Sequence, residues 1–184
     1  MRLLFVSALG AGVLAGAAVA AAPVAGVCAW QAVTEADRQT LGRFGAHPHA
    51  VAYAEREKVF SRTIRALNSC GAVINGDPGG RVAYNYVQSL ATLTVLQNEL
   101  STKGVDAAGI DRLWAALPAQ ARDDITRGAG EADMPLDMLT AMDALPAVED
   151  AVDAARLDPS TYDAFLGAFV ARAKLAILER WEGS

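Results

Sequence analysis

The sequence predicts an all-α fold: a bundle of about five or six helices behind an N-terminal signal or anchor segment. Three observations predict it. Apolar residues recur at helical steps of three, four and seven through most of the chain after residue 34. Glycine and proline divide these stretches into lengths typical of helices, and no stretch reads convincingly as a strand. The residues before Glu35 are almost wholly apolar or small, with Arg2 as their one charged residue.

The N-terminal segment has the layout of a secretory signal. One arginine is followed by an apolar run over residues 3–9 and then by small residues. The tripeptides that end at Ala20 and at Gly26 both fit the small-x-small rule for cleavage. We therefore predict a signal peptide over residues 1–26 and a single helical domain over residues 27–184, with cleavage after Ala20 or after Gly26.

An uncleaved inner-membrane anchor is the alternative for the same segment. Residues 3–27 are long enough, because about 20 apolar residues cross a bilayer. Their richness in glycine and alanine gives only a modest insertion energy, which favours cleavage. Lipid attachment at Cys28 is disfavoured, because Val27 rather than a small residue precedes the cysteine. We therefore expect a periplasmic or secreted protein, with membrane contact only through this segment if it stays uncleaved.

The first two helices after the leader have clear starts and stops. Thr34 suits an N-cap ahead of an acidic first turn, and the first helix runs from there to about Phe44, before Gly45. Pro48 suits the first turn of the second helix, which Gly71 ends. The predicted apolar face of the second helix consists of Tyr53, Phe60, Ile64 and Leu67.

Residues 74–80 form the clearest break in the chain, because they combine asparagine, aspartate, proline and glycine. A third helix is predicted from about Arg81 to Thr102, with Gly104 as its stop. Its predicted buried stripe consists of Val82, Tyr86, Leu90, Leu93, Gln97 and Leu100.

Proline divides the helices of the second half. Helical stretches over 106–117 and 118–128 are split at Pro118, and a helix over about 134–156 is interrupted at Pro146. A last helix follows residues 158–160 and has the strongest amphipathic pattern in the sequence. Its predicted buried residues are Tyr162, Phe165, Leu166, Phe169, Val170, Ala173, Ile177 and Trp181.

The chain has two cysteines, Cys28 and Cys70. An even number in an oxidising compartment predicts a disulfide between them. Cys70 lies three positions after Leu67, on the face of the second helix that is predicted to point inward. The bond would close a loop of about 40 residues and stabilise the fold by a few kcal/mol. Two free thiols are the alternative.

The charge of the chain argues against two classes of partner. The formal net charge is −5, and all of the acidic residues lie at or beyond Glu35. Nucleic-acid binding needs a basic surface, so no nucleic-acid partner is predicted. Docking on an anionic lipid surface is disfavoured for the same reason.

His47 and His49 are the only histidines, and they limit metal chemistry. Together with Glu55 or Asp37 they are the candidate ligands for a metal. Structural zinc sites use four ligands and catalytic sites three plus water, and no third histidine exists. We therefore predict no metal site and interpret both histidines as exposed residues at a helix entrance.

Other candidate sites are also interpreted as structural. The turn over residues 75–81 precedes a helix, but it lacks the lysine and hydroxyl residue of a phosphate-binding loop. The neighbouring acids of Asp123-Asp124 and of Glu149-Asp150 point about 100° apart on a helix, so neither pair suits one ligand. No hydrolase or redox motif occurs. No catalytic residue and no cofactor is predicted.

Aromatic residues raise one further possibility, a pocket for an apolar ligand. Aromatics at helical spacing are more often part of the core, which is our interpretation. The test is whether they meet around a cavity in the folded protein. The residues concerned are Tyr84, Tyr86, Trp114, Phe165, Phe169 and Trp181.

The sequence therefore favours an exported helical protein with a non-catalytic role in protein binding or assembly, whose partner is another envelope protein. A carrier or sensor for a small apolar ligand is the alternative. A cell-wall hydrolase is a third hypothesis, for which the sequence nominates no residues.

Overall fold

A computed structural model describes residues 21–75 and 77–181 of the chain. The described residues form helices joined by turns and include no strand, which confirms the all-α prediction. Three short 3₁₀ helices, Pro48–Ala50, Met142–Ala144 and Pro159–Thr161, lie between longer elements. The α-helices are α1 Ala21–Ala32, α2 Glu35–Ala46, α3 Tyr53–Ser69, α4 Pro78–Thr102, α5 Ala107–Ala116, α6 Ala119–Ala129, α7 Met138–Ala141, α8 Leu145–Ala154 and α9 Tyr162–Glu179.

Helix α4 lies at the centre of the bundle and packs against α1, α2 and α9. Its predicted stripe is only part of its buried surface: Val82 and Leu93 are buried, whereas Tyr86 is partly buried. The polar residues Asn85 and Ser89 are buried as well. A helix enclosed on several sides is buried around most of its circumference, which a single-stripe prediction underestimates.

Glycine allows α2 to approach α4 closely. A Cβ atom at Gly42 would overlap the Ala91 carbonyl oxygen and come within 2.6 Å of Val95 Cγ2. A Cβ atom at Gly45 would overlap the Thr92 hydroxyl in the same way. These two glycines, one helical turn apart, therefore set the distance between the two helices.

Helix α9 forms the other side of the main core. Phe165 and Phe169 are fully buried, and the Phe169 ring lies 5.3 Å from the Trp114 ring on α5. The predicted face is only partly correct, because Ala173 and Ile177 are half-buried whereas Lys174 is fully buried.

The buried face of α3 differs from the predicted one. Tyr53 is 69% exposed and Phe60 is 43% exposed, whereas Val59, Thr63 and Leu67 are buried. The helix packs on α1 and α2 through this stripe, which shares Leu67 with the predicted face but has Val59 and Thr63 where Phe60 and Ile64 were predicted. The two aromatics remain at the surface, beside the opening of a pocket.

Both predicted proline breaks are present. Helices α5 and α6 are separated at Leu117 and Pro118, and a 3₁₀ turn precedes α8, which has Pro146 in its first turn. Residues 134–137, predicted as helical, instead form a connecting segment before α7.

Helix α1 is an element that the sequence did not predict. Its residues Ala25 and Ala29 are buried, and Gly26 lies against the Tyr86 ring, where an added Cβ would sit 3.0 Å from the ring. The helix crosses the predicted boundary between residues 26 and 27. Residues 1–20 lie outside the described part, and so does the prediction of a leader there. None of the described helices has the combination of length and hydropathy that crossing a bilayer requires.

The predicted disulfide is present between Cys28 on α1 and Cys70 at the end of α3. The two Cα atoms are 5.9 Å apart, within the usual range for a disulfide. The bond therefore ties the first described helix to the third.

Candidate functional site

A buried lysine organises the connection between α6 and α7. Lys174 of α9 is fully buried and donates through Nζ to three backbone carbonyl oxygens. They belong to Ala129 at 3.0 Å, Met134 at 2.6 Å and Glu131. Burial lowers the pKa of Lys174 from 10.5 to about 8, and the Asp133 carboxylate partly opposes this. Three carbonyl oxygens therefore surround the ammonium group, as they would surround a bound cation.

Helix α4 holds the same segment from a second direction. Asn85 donates through Nδ2 to the carbonyl oxygens of Ala132 and Met134, both at 2.9 Å. Arg81, one turn earlier, donates to the Asp133 carboxylate at 2.7 Å, which holds the pKa of that carboxyl below its usual value. Residues 129–134 are thus fixed by side chains from α4 and α9, although they form no regular element after Ala129.

Helix α7 is anchored through Asp137. The Asp137 backbone N–H donates to the Gly128 carbonyl at 2.8 Å, and its carboxylate accepts from the backbone N–H and the hydroxyl of Thr140, at 3.2 and 2.7 Å. These bonds hold the pKa of Asp137 below its usual value. On the inner side, Gly128 packs against Ala141. The backbone from α6 to α7 is therefore fixed at both ends.

The outer side of this fixed segment is apolar. Met134, Met138, Leu139 and Met142 are 52%, 38%, 85% and 43% exposed, and we call them the methionine surface. The last three follow one another at helical spacing on α7 and the turn after it. Exposed large apolar side chains grouped along one segment mark an interaction site more often than scattered ones do.

Acidic residues surround the methionine surface in the sequence. The stretch from Gly128 to Ala155 contains no lysine or arginine. Its seven acidic residues are Glu131, Asp133, Asp137, Asp143, Glu149, Asp150 and Asp153. Each is exposed or partly exposed, so their charge reaches the solvent.

A second candidate site is a pocket between α2, α3 and α4. Its volume is about 270 Å³, and its aromatic lining consists of Phe44, Tyr53, Phe60 and Tyr84. We call it the aromatic pocket. The Phe60 and Tyr84 rings meet edge to face, with centroids 5.6 Å apart. Burial raises the pKa of Tyr84 to about 12, so its hydroxyl stays neutral at physiological pH.

Arg56 brings a positive charge to the aromatic pocket. Its guanidinium carbon lies 5.2 Å from the Phe44 ring centroid and 5.5 Å from the Tyr53 ring centroid. Its Nε–H is cut off from solvent and meets no hydrogen-bond acceptor within residues 21–75 and 77–181. The nearby carboxylate of Glu55 instead lies 3.3 Å from Arg43.

The structure does not bring the two histidines together with the proposed acidic ligands. His47 Nε2 lies 2.9 Å from Glu99, and His49 is exposed. Asp37 is buried and bonded to Arg62, which holds the pKa of Asp37 below its usual value. In the part of the chain that the structure describes, no three histidine, cysteine or acidic residues are grouped so that they could hold a metal ion.

The turn before α4 and one of the two acid pairs have structural partners. Asp77 caps α4 by accepting from the Gly79 backbone N–H at 2.9 Å. Asp124 is buried and accepts from Arg127 at 2.7 Å, whereas its neighbour Asp123 is exposed. Asp150 is exposed along a wide groove of about 650 Å³ between α5 and α8, which is lined largely by glycine and alanine.

The six aromatics considered from the sequence fall into three groups. Trp114, Phe165 and Phe169 pack in the main core, as interpreted from the sequence. Tyr86 and Trp181 pack in a smaller cluster around Val82, Ala132 and Leu178. Of the six, only Tyr84 lines the aromatic pocket, whose other rings the sequence reading did not nominate.

Two features that the sequence analysis missed, the buried lysine and the methionine surface, have recognisable patterns in the sequence. Lys174 occupies a step of four in the row Leu166, Val170, Lys174 and Leu178, all of which are buried. The three methionines of the methionine surface also recur at steps of four. An isolated charge within an apolar row and a repeated methionine spacing are both readable in a sequence.

Comparison with known proteins adds no further evidence, since the chain matches no protein family, curated protein or solved structure.

Proposed function

We propose that this protein is exported and acts without catalysis, by binding a positively charged amphipathic segment of another envelope protein. The observation that carries the proposal is the methionine surface, four exposed apolar side chains on a rigidly held segment. Methionine suits such a role because its unbranched, polarisable side chain adapts to differently shaped partners.

The charge around the methionine surface supports the choice of partner. The stretch from Gly128 to Ala155 contains seven acidic residues and no basic residue, and of the seven only Asp133 forms an ion pair among the described residues, with Arg81. An amphipathic helix with apolar residues on one face and lysine or arginine on the other would match both properties. The acidic residues would speed association and set the orientation, while burial of the apolar side chains would supply most of the affinity.

Export is proposed from the leader together with the disulfide. The Cys28–Cys70 bond is consistent with an oxidising compartment. Cleavage after Ala20 would keep every described residue of α1, whereas cleavage after Gly26 would remove half of the described helix, which packs on α4. We therefore place the start of the exported protein at Ala21. N-terminal sequencing of protein purified from the envelope tests this, and a terminus at Val27 or at Met1 would contradict it.

Binding is tested with two synthetic helices of equal length and apolar content. One carries lysine on its polar face and the other carries glutamate. Fluorescence anisotropy with the exported protein should detect binding of the lysine helix alone, and the affinity should fall as salt is added. Equal binding of both helices, or of neither, would refute the proposal.

Variants locate the site on the surface. Replacing Leu139 and Met142 by serine removes exposed apolar surface without touching the core, and we expect at least about tenfold weaker binding of the lysine helix. The control is Val73→Ser, because Val73 is 55% exposed in the turn before α4, outside the methionine surface. If both proteins lose affinity equally, the interaction is not located at the methionine surface.

A further inference from the structure

We infer that the aromatic pocket is a binding site for a small apolar carboxylate, with Arg56 as the residue that receives the carboxylate group. This site lies between α2, α3 and α4 and is separate from the methionine surface. The inference therefore concerns a second ligand, in addition to the protein partner proposed above.

The walls of the pocket select an apolar body. Leu41 and Val59 are buried at its base, and four aromatic rings complete the lining. The volume of about 270 Å³ is enough for a small ligand such as one ring with a short chain.

The exposure of the aromatic rings also favours a ligand. Phe60 is 43% exposed and Tyr53 is 69% exposed, although both sit beside a cavity that their side chains do not fill. Burying one such side chain fully would contribute about 1.5–3 kcal/mol. A ligand held between the rings would therefore remove apolar surface from water on both sides.

The charge of Arg56 selects an anion. Arg56 lines the pocket, its Nε–H has no acceptor, and no carboxylate among the described residues forms an ion pair with it, so its guanidinium is available to an anion. A guanidinium presents its donors in a plane that matches the two oxygens of a carboxylate. The Phe44 and Tyr53 rings lie within about 5–6 Å of the guanidinium carbon and position it at the pocket.

Other charges near the pocket do not neutralise Arg56. Glu57 also lines the pocket, but it is exposed and lies about 100° further around α3, so water screens its charge. Glu55 lies 3.3 Å from both Arg43 and the Thr40 hydroxyl. Arg56 is therefore the positive charge that a ligand inside the pocket meets.

The test compares an acid with its neutral counterpart. The probes are 3-phenylpropionate and 3-phenylpropionamide, which share the same ring and chain. Titrations of the full exported protein, followed by NMR chemical shifts of the backbone amides, should show binding of the acid at least about tenfold tighter than the amide. The largest shifts are expected at residues of α2 and α3 that line the pocket. Equal affinities for acid and amide, or no binding of either at millimolar concentration, would overturn the inference.

Two substitutions on α3 form a matched pair. Arg56→Gln should abolish the preference for the acid, whereas Arg65→Gln should keep it, because Arg65 is an exposed arginine of the same helix outside the pocket. Arg56→Lys keeps the positive charge and should retain part of the preference for the acid. This variant separates the loss of the charge from any general effect of a substitution at this position. An unchanged preference in Arg56→Gln would assign the anion selectivity elsewhere and refute the role of Arg56.

Discussion

Replacing Lys174 by methionine should destabilise the protein by about 3 kcal/mol. The substitution keeps most of the apolar length of the side chain and removes only the ammonium group. Of the three carbonyl oxygens that the ammonium contacts, Ala129 O would have no remaining donor among the described residues. Glu131 O and Met134 O would keep one donor each, the Met134 backbone N–H and the Asn85 side chain.

The magnitude follows from these contacts and from the cost of burying a charge. The orphaned Ala129 carbonyl costs about 1–3 kcal/mol, and the two other lost hydrogen bonds to the charged group cost about 1.5–3 kcal/mol each, which gives a gross loss of about 4–9 kcal/mol, centred at about 6 kcal/mol. The drop in the Lys174 pKa from 10.5 to about 8 corresponds to about 3 kcal/mol of unfavourable burial that the variant no longer carries. The net loss is therefore about 3 kcal/mol, with the removal of a buried hydrogen-bonding partner outweighing the relief.

Urea unfolding followed by circular dichroism measures this difference. The midpoint should fall while the slope with urea stays unchanged, since the surface exposed on unfolding is the same. Lys58→Met is the control, because Lys58 is exposed on α3, and its stability should stay within about 0.5 kcal/mol of the wild type. A Lys174→Met midpoint that matched this control would show that the carbonyl oxygens find other donors, and the reasoning would be refuted.

Three further predictions follow from the same structure. Gly42→Ala should lower the free energy of unfolding by about 1–3 kcal/mol because its Cβ meets the backbone of α4, whereas Gly79→Ala, whose nearest neighbour atom is 3.4 Å away, should be neutral or slightly stabilising by thermal unfolding. Reducing the Cys28–Cys70 bond, which spans 42 residues, should cost about 4 kcal/mol on the chain-entropy account, and equal melting temperatures with and without reductant would contradict this. Because the folded-state pKa of Lys174 lies below its unfolded value, the folded protein releases this proton first as pH rises. The contribution of Lys174 to the free energy of unfolding should therefore increase by about 2 kcal/mol between pH 7.5 and 9.5. It is measured as the difference in the free energy of unfolding between the wild type and Lys174→Met.

Sequence patterns predicted the elements whose boundaries are local. Thr34 caps α2 through its hydroxyl, which accepts from the Asp37 backbone N–H, and the breaks at Pro118 and before Pro146 are present. These features depend on residues a few positions apart, so the sequence carries them directly. The Cys28–Cys70 pairing was predictable for another reason, because with two cysteines only one intramolecular pair exists.

Burial was harder to predict because it depends on which elements meet. Tyr53 and Phe60 were expected to be buried, but α3 packs through the stripe containing Val59 and Thr63 instead. Both stripes have helical spacing, and no local signal decides between them. Helix α1 was missed because its small residues resemble the end of a leader, and its role becomes clear only through its contact with Tyr86 on α4.

The two candidate sites could not be predicted from the sequence, for a related reason. Each consists of residues from distant segments: Lys174 and Asn85 hold the methionine surface from two helices, and three helices line the aromatic pocket. The spacing of the methionines was visible, but their exposure depends on the path of the backbone after Gly130, which hydrogen bonds from Lys174 and Asn85 fix.

The buried lysine explains how this surface can be both adaptable and well placed. A segment without regular structure leaves its carbonyl oxygens unpaired, and at the edge of a core they need donors. Lys174 and Asn85 supply donors from inside, in addition to the Arg81–Asp133 pair and the Asp137 carboxylate nearer the surface. The outward-facing positions can then carry methionine and leucine, whose side chains form no hydrogen bonds with the backbone of the segment. In the proposed function, the backbone would already be fixed when a partner binds and only the flexible methionine side chains would have to adjust, which would keep the entropic cost of binding low.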